Sequence, residues 1–319
     1  MKRIITSLFA LLVLSFCGPA EGDDKEPTVT GTASAPVRIA VVDTFFRDIP
    51  EPLVRPVIEP LRVLMMAQTG LNGDVVMPKD ALQLAQDLAD NKIQIALFHG
   101  FEYAWAKRLH PDVQPLMIAL HHQRELQVFL MVRADSPVRS FADLQGKPVA
   151  LPCFCQEHCW VYMGRACQAA GQSDPKKFFS SFTNPRDPEE GLDELADGKL
   201  QAVIVDNVAL DSYQKRKPAR FTKLKCAHKS EMFPAAVVAY RAGSFDQATI
   251  KRLQESLLDG QKTALGRQLL MLWKLRSIES VPSGFDESLN KILKAYPPPE
   301  RQQAGKEKPA EMQTAKRRP

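Results

Sequence analysis

The sequence predicts an α/β protein of two lobes with mixed sheets, joined by two hinge strands. Short apolar runs alternate with amphipathic stretches at the spacing of βαβ units. The alternation restarts after Arg133. Two long apolar runs, residues 127–133 and 235–241, are placed to cross between the lobes. The crossings put lobe 1 at residues 37–130 and 238–296 and lobe 2 at 131–237, and 319 residues are enough to give each a covered core.

Residues 37–43 are apolar almost throughout, as a strand buried on both faces of a parallel sheet is, with Phe45 and Phe46 just past its end. Residues 51–69 carry Pro52, Pro56 and Pro60, which predict an irregular start, yet Leu53, Val57, Leu61 and Leu64 keep helical spacing up to Gly70. A strand at 74–77, an amphipathic helix at 79–91 and a strand at 93–98 follow. That strand runs through His99 and Gly100 into a helix ending at Leu109. Strands are expected at 113–120 and 126–133, a short helix at 140–144, a strand at 147–151 and a helix at 160–170. The remainder reads as a strand at 178–182, a helix at 189–196 and a strand at 202–205 that ends in Asp206 and Asn207. Strands at 221–226 and 235–240 and two helices, at 247–259 and 262–273, close the fold. Residues 297–319 open with three prolines and continue as a polar, basic tail that cannot bury a core.

The N-terminus carries an export signal. Lys2 and Arg3 precede the apolar run 4–16, which is too short to span a bilayer, and small residues follow, so residues 1–22 read as a signal peptide and 23–36 as a disordered spacer. Cleavage near Ala20 or Gly22 would release the chain; lipidation of Cys17 would tether it to a membrane. A content of 45% hydrophobic and 25% charged residues is that of a soluble globular protein in either case. The net charge of +5 owes much to Arg301, Lys306, Lys308, Lys316, Arg317 and Arg318 in the tail. No basic stripe with interleaved aromatics accompanies it, so a nucleic-acid partner is not expected.

Residues 149–167 concentrate the chemistry, with Cys153, Cys155, Cys159 and Cys167 beside Glu157 and His158 at a strand–loop–helix junction, where α/β proteins place ligands. In an oxidising compartment these cysteines are expected to form a disulfide, with each other or with Cys226. The alternative is a soft metal site for copper or zinc, held by Cys153, Cys155, His158 and Cys159. The spacing lacks the paired C-x-x-C of structural zinc and the C-x-x-C-H of covalent haem, and no cofactor is expected. An enzyme is disfavoured: no nucleophile elbow, P-loop or dinucleotide fingerprint occurs, and neighbouring Cys159 and His158 would project about 100° apart around a helix.

Four stretches, residues 95–106, 140–150, 197–206 and 232–241, carry a family resemblance in order and spacing. The chain resembles the periplasmic substrate-binding proteins of ABC transporters for phosphonate, phosphite and related oxyanions, of the type II periplasmic-binding-protein superfamily. The resemblance implies that fold, a small ligand in the inter-lobe cleft, and a membrane permease or sensor as partner. It also implies an anion site at the positions of Gln156, Glu157, His158 and Cys159, where the family has hydroxyl residues, and an acidic cleft residue at Asp206. Phe45, His99 and Tyr103, beside strand ends, complete the expected ligand-binding set. Glu157 is the departure: at ~4 Å it would repel a like charge by about 4 kcal/mol at an effective dielectric of ~20. On that ground a different ligand is expected in the same place.

Overall fold

The computed structural model describes residues 36–47, 49–121, 123–153 and 157–299. The expected signal peptide, Cys17, Cys155, Gln156 and nearly all of the spacer and tail lie outside them. β1 (Val37–Val41) leads through a 3-10 turn, Asp43–Phe46, into α1 (Glu51–Thr69); β2 (Gly73–Val75), α2 (Ala81–Ala89), β3 (Ile95–Phe98), α3 (Gly100–Leu109) and β4 (Val113–Leu120) follow. The chain passes through β5 (Glu125–Leu126) into β6 (Val128–Arg133), β7 (Pro148–Ala150), α4 (Glu157–Ala169), α5 (Pro175–Phe178), β8 (Ser181–Thr183), α6 (Pro188–Ala196), β9 (Ala202–Asp206), α7 (Asn207–Arg216), α8 (Pro218–Phe221) and β10 (Leu224–Lys229). It returns through β11 (Phe233–Pro234) to β12 (Ala236–Arg241), α9 (Gln247–Gly260), α10 (Ala264–Leu272), β13 (Ser277–Glu279) and α11 (Phe285–Ala295). No described helix is long and apolar enough to cross a membrane.

The strands form a six-stranded sheet, ordered β13-β4-β12-β3-β1-β2, and a five-stranded sheet, ordered β10-β6-β9-β7-β8. Both are mixed: β12 runs antiparallel to β3 and β4 in the first, and β6 runs antiparallel to β9 and β10 in the second. Between the sheets the chain makes one antiparallel ribbon, β5 with β11, pairing Leu126 with Phe233 and Glu125 with Pro234. The two long apolar runs expected to cross are therefore β6 and β12, each wholly inside one sheet; the crossing is the short ribbon just before them. Side chains fix its position. Asn207, at the end of β9, accepts from Gln127 N at 3.0 Å and donates to Glu125 O at 3.2 Å, while the Ser230 hydroxyl accepts from Val128 N at 2.9 Å.

Four departures from the expected elements have physical causes. α1 is helical from Glu51 onward because Pro52 lies in its first turn, where no donor is needed, and Val54, Ile58 and Leu64 pack into the core while Pro56 stays exposed. The strand expected at 178–182 starts only at Ser181, because residues 175–178 form a helical turn in which Asp174 caps Lys176 N and Pro175 occupies the first turn. α7 has no counterpart among the expected elements because a polar helix that buries only Asn207, Leu210 and Tyr213 shows little apolar period. β13 and α11 were not expected, although Phe285, Leu289 and Ile292 give α11 a buried stripe at helical spacing.

Candidate functional site

The carboxyl ends of strands from both sheets face one cleft, the usual ligand position in open α/β sheets. From the six-stranded sheet come the turn after β1 (Asp43–Arg47), His99 after β3 and His121 after β4. From the five-stranded sheet come Pro152 and Cys153 after β7, the first turn of α4, and Asp206 where β9 meets α7. A cavity of about 530 Å³ lies here, lined among others by His121, Cys153, Cys159, Asp206, Arg216 and Lys274.

Beside the cavity, one contact joins the two sides. Arg47 grips Glu157 with a two-pronged fork, Nε to Oε2 and Nη2 to Oε1, both at 2.6 Å across 110 residues of sequence. The Glu157 side chain is only 6% exposed and the Arg47 side chain 43%, so the carboxylate is the desolvated partner. The guanidinium also lies 5.3 Å from the centre of the Trp160 ring. Burial pushes the Glu157 carboxyl above its ordinary range and the Arg47 fork pulls it back only in part. The repulsion expected of Glu157 is thus changed in kind: its charge is neutralised by a guanidinium that sequence reading did not single out. Only the position of Arg47, at the end of the short turn that follows the first strand, could have flagged it.

His158 and Asp206 meet nearby, Nε2 to Oδ2 at 3.7 Å, too long for a hydrogen bond and close enough for charge attraction. Burial raises the Asp206 carboxyl, but His158 and the Ala209 N–H, which Asp206 caps at 2.8 Å, outweigh it and hold the group below its ordinary value. His99 stacks face to face on Phe45, ring centres 3.8 Å apart, and on Phe101 at 5.7 Å. Burial, reinforced by His121, His158 and Arg47, holds His99 well below the usual imidazole value. Among the described residues, the buried ring nitrogens His99 Nε2, His158 Nε2 and Trp160 Nε1, and His110 Nε2 at the far end of α3, have no hydrogen-bond partner.

Beneath these lies Glu102, which accepts from the Thr44 hydroxyl at 2.9 Å and from His99 N at 3.2 Å. Complete burial, with Glu157 and Asp43 as negative neighbours, pushes its carboxyl up to about 8. It was not anticipated, since a glutamate in an otherwise ordinary helix turn carries no sequence signal of burial.

Phe45, His99, Glu157, His158 and Asp206 are therefore brought together. Tyr103 is not: it is fully buried, its hydroxyl aimed at Val113 O at 3.5 Å and its ring over Phe285, so it belongs to the core rather than the cleft. Cys153, Cys159, Cys167 and Cys226 form no disulfide with one another, so the expected bridge is absent among the described residues. Cys159 and Cys167 lie eight residues apart on α4, a rise of about 12 Å, beyond the ~7 Å limit between Cα atoms of a bridge. No three His, Cys, Asp or Glu side chains among the described residues converge to hold a metal ion.

A family described as the phosphonate periplasmic substrate-binding protein of ABC transporters matches residues 54–282. A search of curated proteins finds no match. Among solved structures, a Xanthomonas citri protein bound to ATP is 16% identical with a TM-score of 0.55, covering 82% of this chain and 97% of that one. The binding protein component of an ABC phosphonate transporter from Pseudomonas aeruginosa is 14% identical, TM-score 0.52, covering 81% and 85%. PhnD1 from Prochlorococcus marinus, in complex with methylphosphonate, is 11% identical, TM-score 0.51, covering 81% and 97%. At these identities the likenesses establish a shared fold, the type II periplasmic-binding-protein fold.

Proposed function

The chain belongs to the phosphonate periplasmic substrate-binding family of ABC transporters, and from that premise we propose that it captures a small oxyanion-bearing ligand, of the phosphonate class, between its two sheets. The family is one of substrate-binding transporter components, which implies a periplasmic location, a small-molecule ligand and a membrane permease as partner. Export by residues 1–22, with or without a lipid on Cys17, fits that setting. The β5–β11 ribbon acts as the hinge, with residues up to 124 and from 236 as one lobe and 127–230 as the other, and closure is a rigid rotation about it.

One observation carries the ligand reading. Two buried ring nitrogens without a hydrogen-bond partner, His99 Nε2 and Trp160 Nε1, belong to residues at the cleft that holds the arginine fork, and a third, His158 Nε2, has only the 3.7 Å charge contact with Asp206. A buried polar group without a partner costs roughly 1–3 kcal/mol, and a ligand that accepts hydrogen bonds would recover part of that cost. Expected roles follow: Arg47 and His158 as charge-bearing or polar contacts, Phe45 and His99 as a stacked wall, Asp206 as the group that orients His158. Thermal-shift measurements with methylphosphonate, phosphite, an alkyl sulfonate, copper and zinc test the reading. A rise in Tm with the oxyanions supports it. A rise with copper or zinc alone would overturn it in favour of metal capture by the cysteine-bearing loop.

A further inference from the structure

The Arg47–Glu157 pair has the properties of a closure contact made from the chain's own residues. Its two members come from opposite sides of the β5–β11 ribbon, Arg47 at the end of the 3-10 turn after β1 and Glu157 at the first residue of α4. The fork is two-pronged at 2.6 Å, which is the geometry by which a guanidinium also holds a phosphonate or phosphate. The carboxylate is buried, the guanidinium is half exposed, and the Trp160 ring backs it.

We infer that Glu157 is a resident competitor for Arg47: the pair latches the two sheets together, and an incoming oxyanion binds by taking the fork from the carboxylate. The inference rests on the proposed ligand class, and it makes Glu157 the residue that sets selectivity. Weakly held anions, or those in low supply, fail to displace it. A doubly charged phosphonate succeeds, because it offers the same two-oxygen edge with more charge. The released carboxylate is accommodated by protonation or by water retained beside the bound ligand. This also accounts for an acid at a position where sequence reasoning places the ligand's own charge.

Two measurements on the mature chain test this, with Glu157→Gln and Arg47→Ala as variants and circular dichroism as the check on folding. Calorimetric titration with methylphosphonate should show Glu157→Gln binding tenfold or more tightly than the parent, and Arg47→Ala binding at least tenfold more weakly. Small-angle X-ray scattering without ligand should show a larger radius of gyration for Glu157→Gln than for the parent. A variant that binds no more tightly and scatters as the parent does would overturn the latch, leaving the proposed ligand class standing if the parent itself binds methylphosphonate. A larger radius without oxyanion binding by any form would instead overturn the ligand class and the competition, while retaining the contact as a closure device. If Glu157→Gln misfolds, Glu157→Asp is the substitute. Its shorter reach loosens the fork without removing the charge, so it should shift affinity in the same direction by a smaller factor, and unchanged affinity would count against the latch.

Discussion

Two strand-to-helix junctions face each other across the cleft, and they are built in opposite ways. At β3–α3 the strand turns into the helix with a single residue, His99, between them, and everything there is pinned. A Cβ on Gly100 would fall 2.2 Å from Pro234 O and 2.5 Å from Ala235 O, so the helix start lies against the backbone of the crossing ribbon with no room to move. At β7–α4 six residues separate strand from helix, and the helix opens with charged and polar side chains that reach the other sheet. The first junction fixes α3 against the crossing ribbon, and the second supplies the contact between the two sides of the cleft. Rigid support and exchangeable contact are thus divided between two copies of the same motif.

Substituting the pinned junction should have the largest effect. Gly100→Ala forces two backbone carbonyls apart and should cost about 3 kcal/mol or more in urea unfolding, or prevent folding altogether. A cost under about 1 kcal/mol would mean that the ribbon is not pressed against α3.

The acid beneath that junction gives a pH signature. Glu102 has its carboxyl raised from 4.5 to about 8 in the folded protein. A raised acid binds more protons folded than unfolded, so its contribution is full below about pH 4.5 and is lost as the pH climbs through about 8. The slope is on the order of 1.4 kcal/mol per pH unit across that window. Glu102→Gln, which keeps a partner for Thr44 and for His99 N, should therefore stabilise the protein progressively above pH 5 relative to the parent. Parallel stability curves for the two proteins would contradict the buried acid.

At the exchangeable junction the two halves of one ion pair should behave unequally. Arg47→Ala strands a buried carboxylate and should cost about 1–3 kcal/mol, a range reduced because Arg47 is half exposed. Glu157→Gln leaves a guanidinium that water can reach and should cost less than about 1 kcal/mol. Equal losses would indicate that the pair is a surface contact rather than a desolvated one.

The smallest effect belongs to Tyr103→Phe. Its hydroxyl makes only a 3.5 Å contact with Val113 O, so the substitution should change stability by less than about 1 kcal/mol and leave ligand affinity untouched. A tenfold loss of affinity would return Tyr103 to the cleft.

What the sequence made legible follows the same division. Strand ends, the alternation of elements and the strand–loop–helix junction at 149–167 are local patterns, and the fold was read from them. The cleft positions of Phe45, His99, His158 and Asp206 were legible for the same reason, since each ends a strand or opens a helix. Pairing was not legible. Nothing local links Arg47 to Glu157, and Glu157 read alone looked like a repelling charge. Burial of Glu102, the inward turn of Tyr103 and the lack of a bridge among the described cysteines depend on which faces meet after folding. The crossing ribbon was displaced to its neighbours because two-residue strands leave no periodicity to detect.

The central claim is that two lobes close over an oxyanion at the Arg47 fork, and small-angle scattering of Glu157→Gln with and without saturating methylphosphonate tests it most directly. The account predicts an expanded particle that contracts to the parent's radius of gyration when methylphosphonate is added. A radius equal to the parent's at the start, or one that saturating methylphosphonate leaves unchanged, would contradict it.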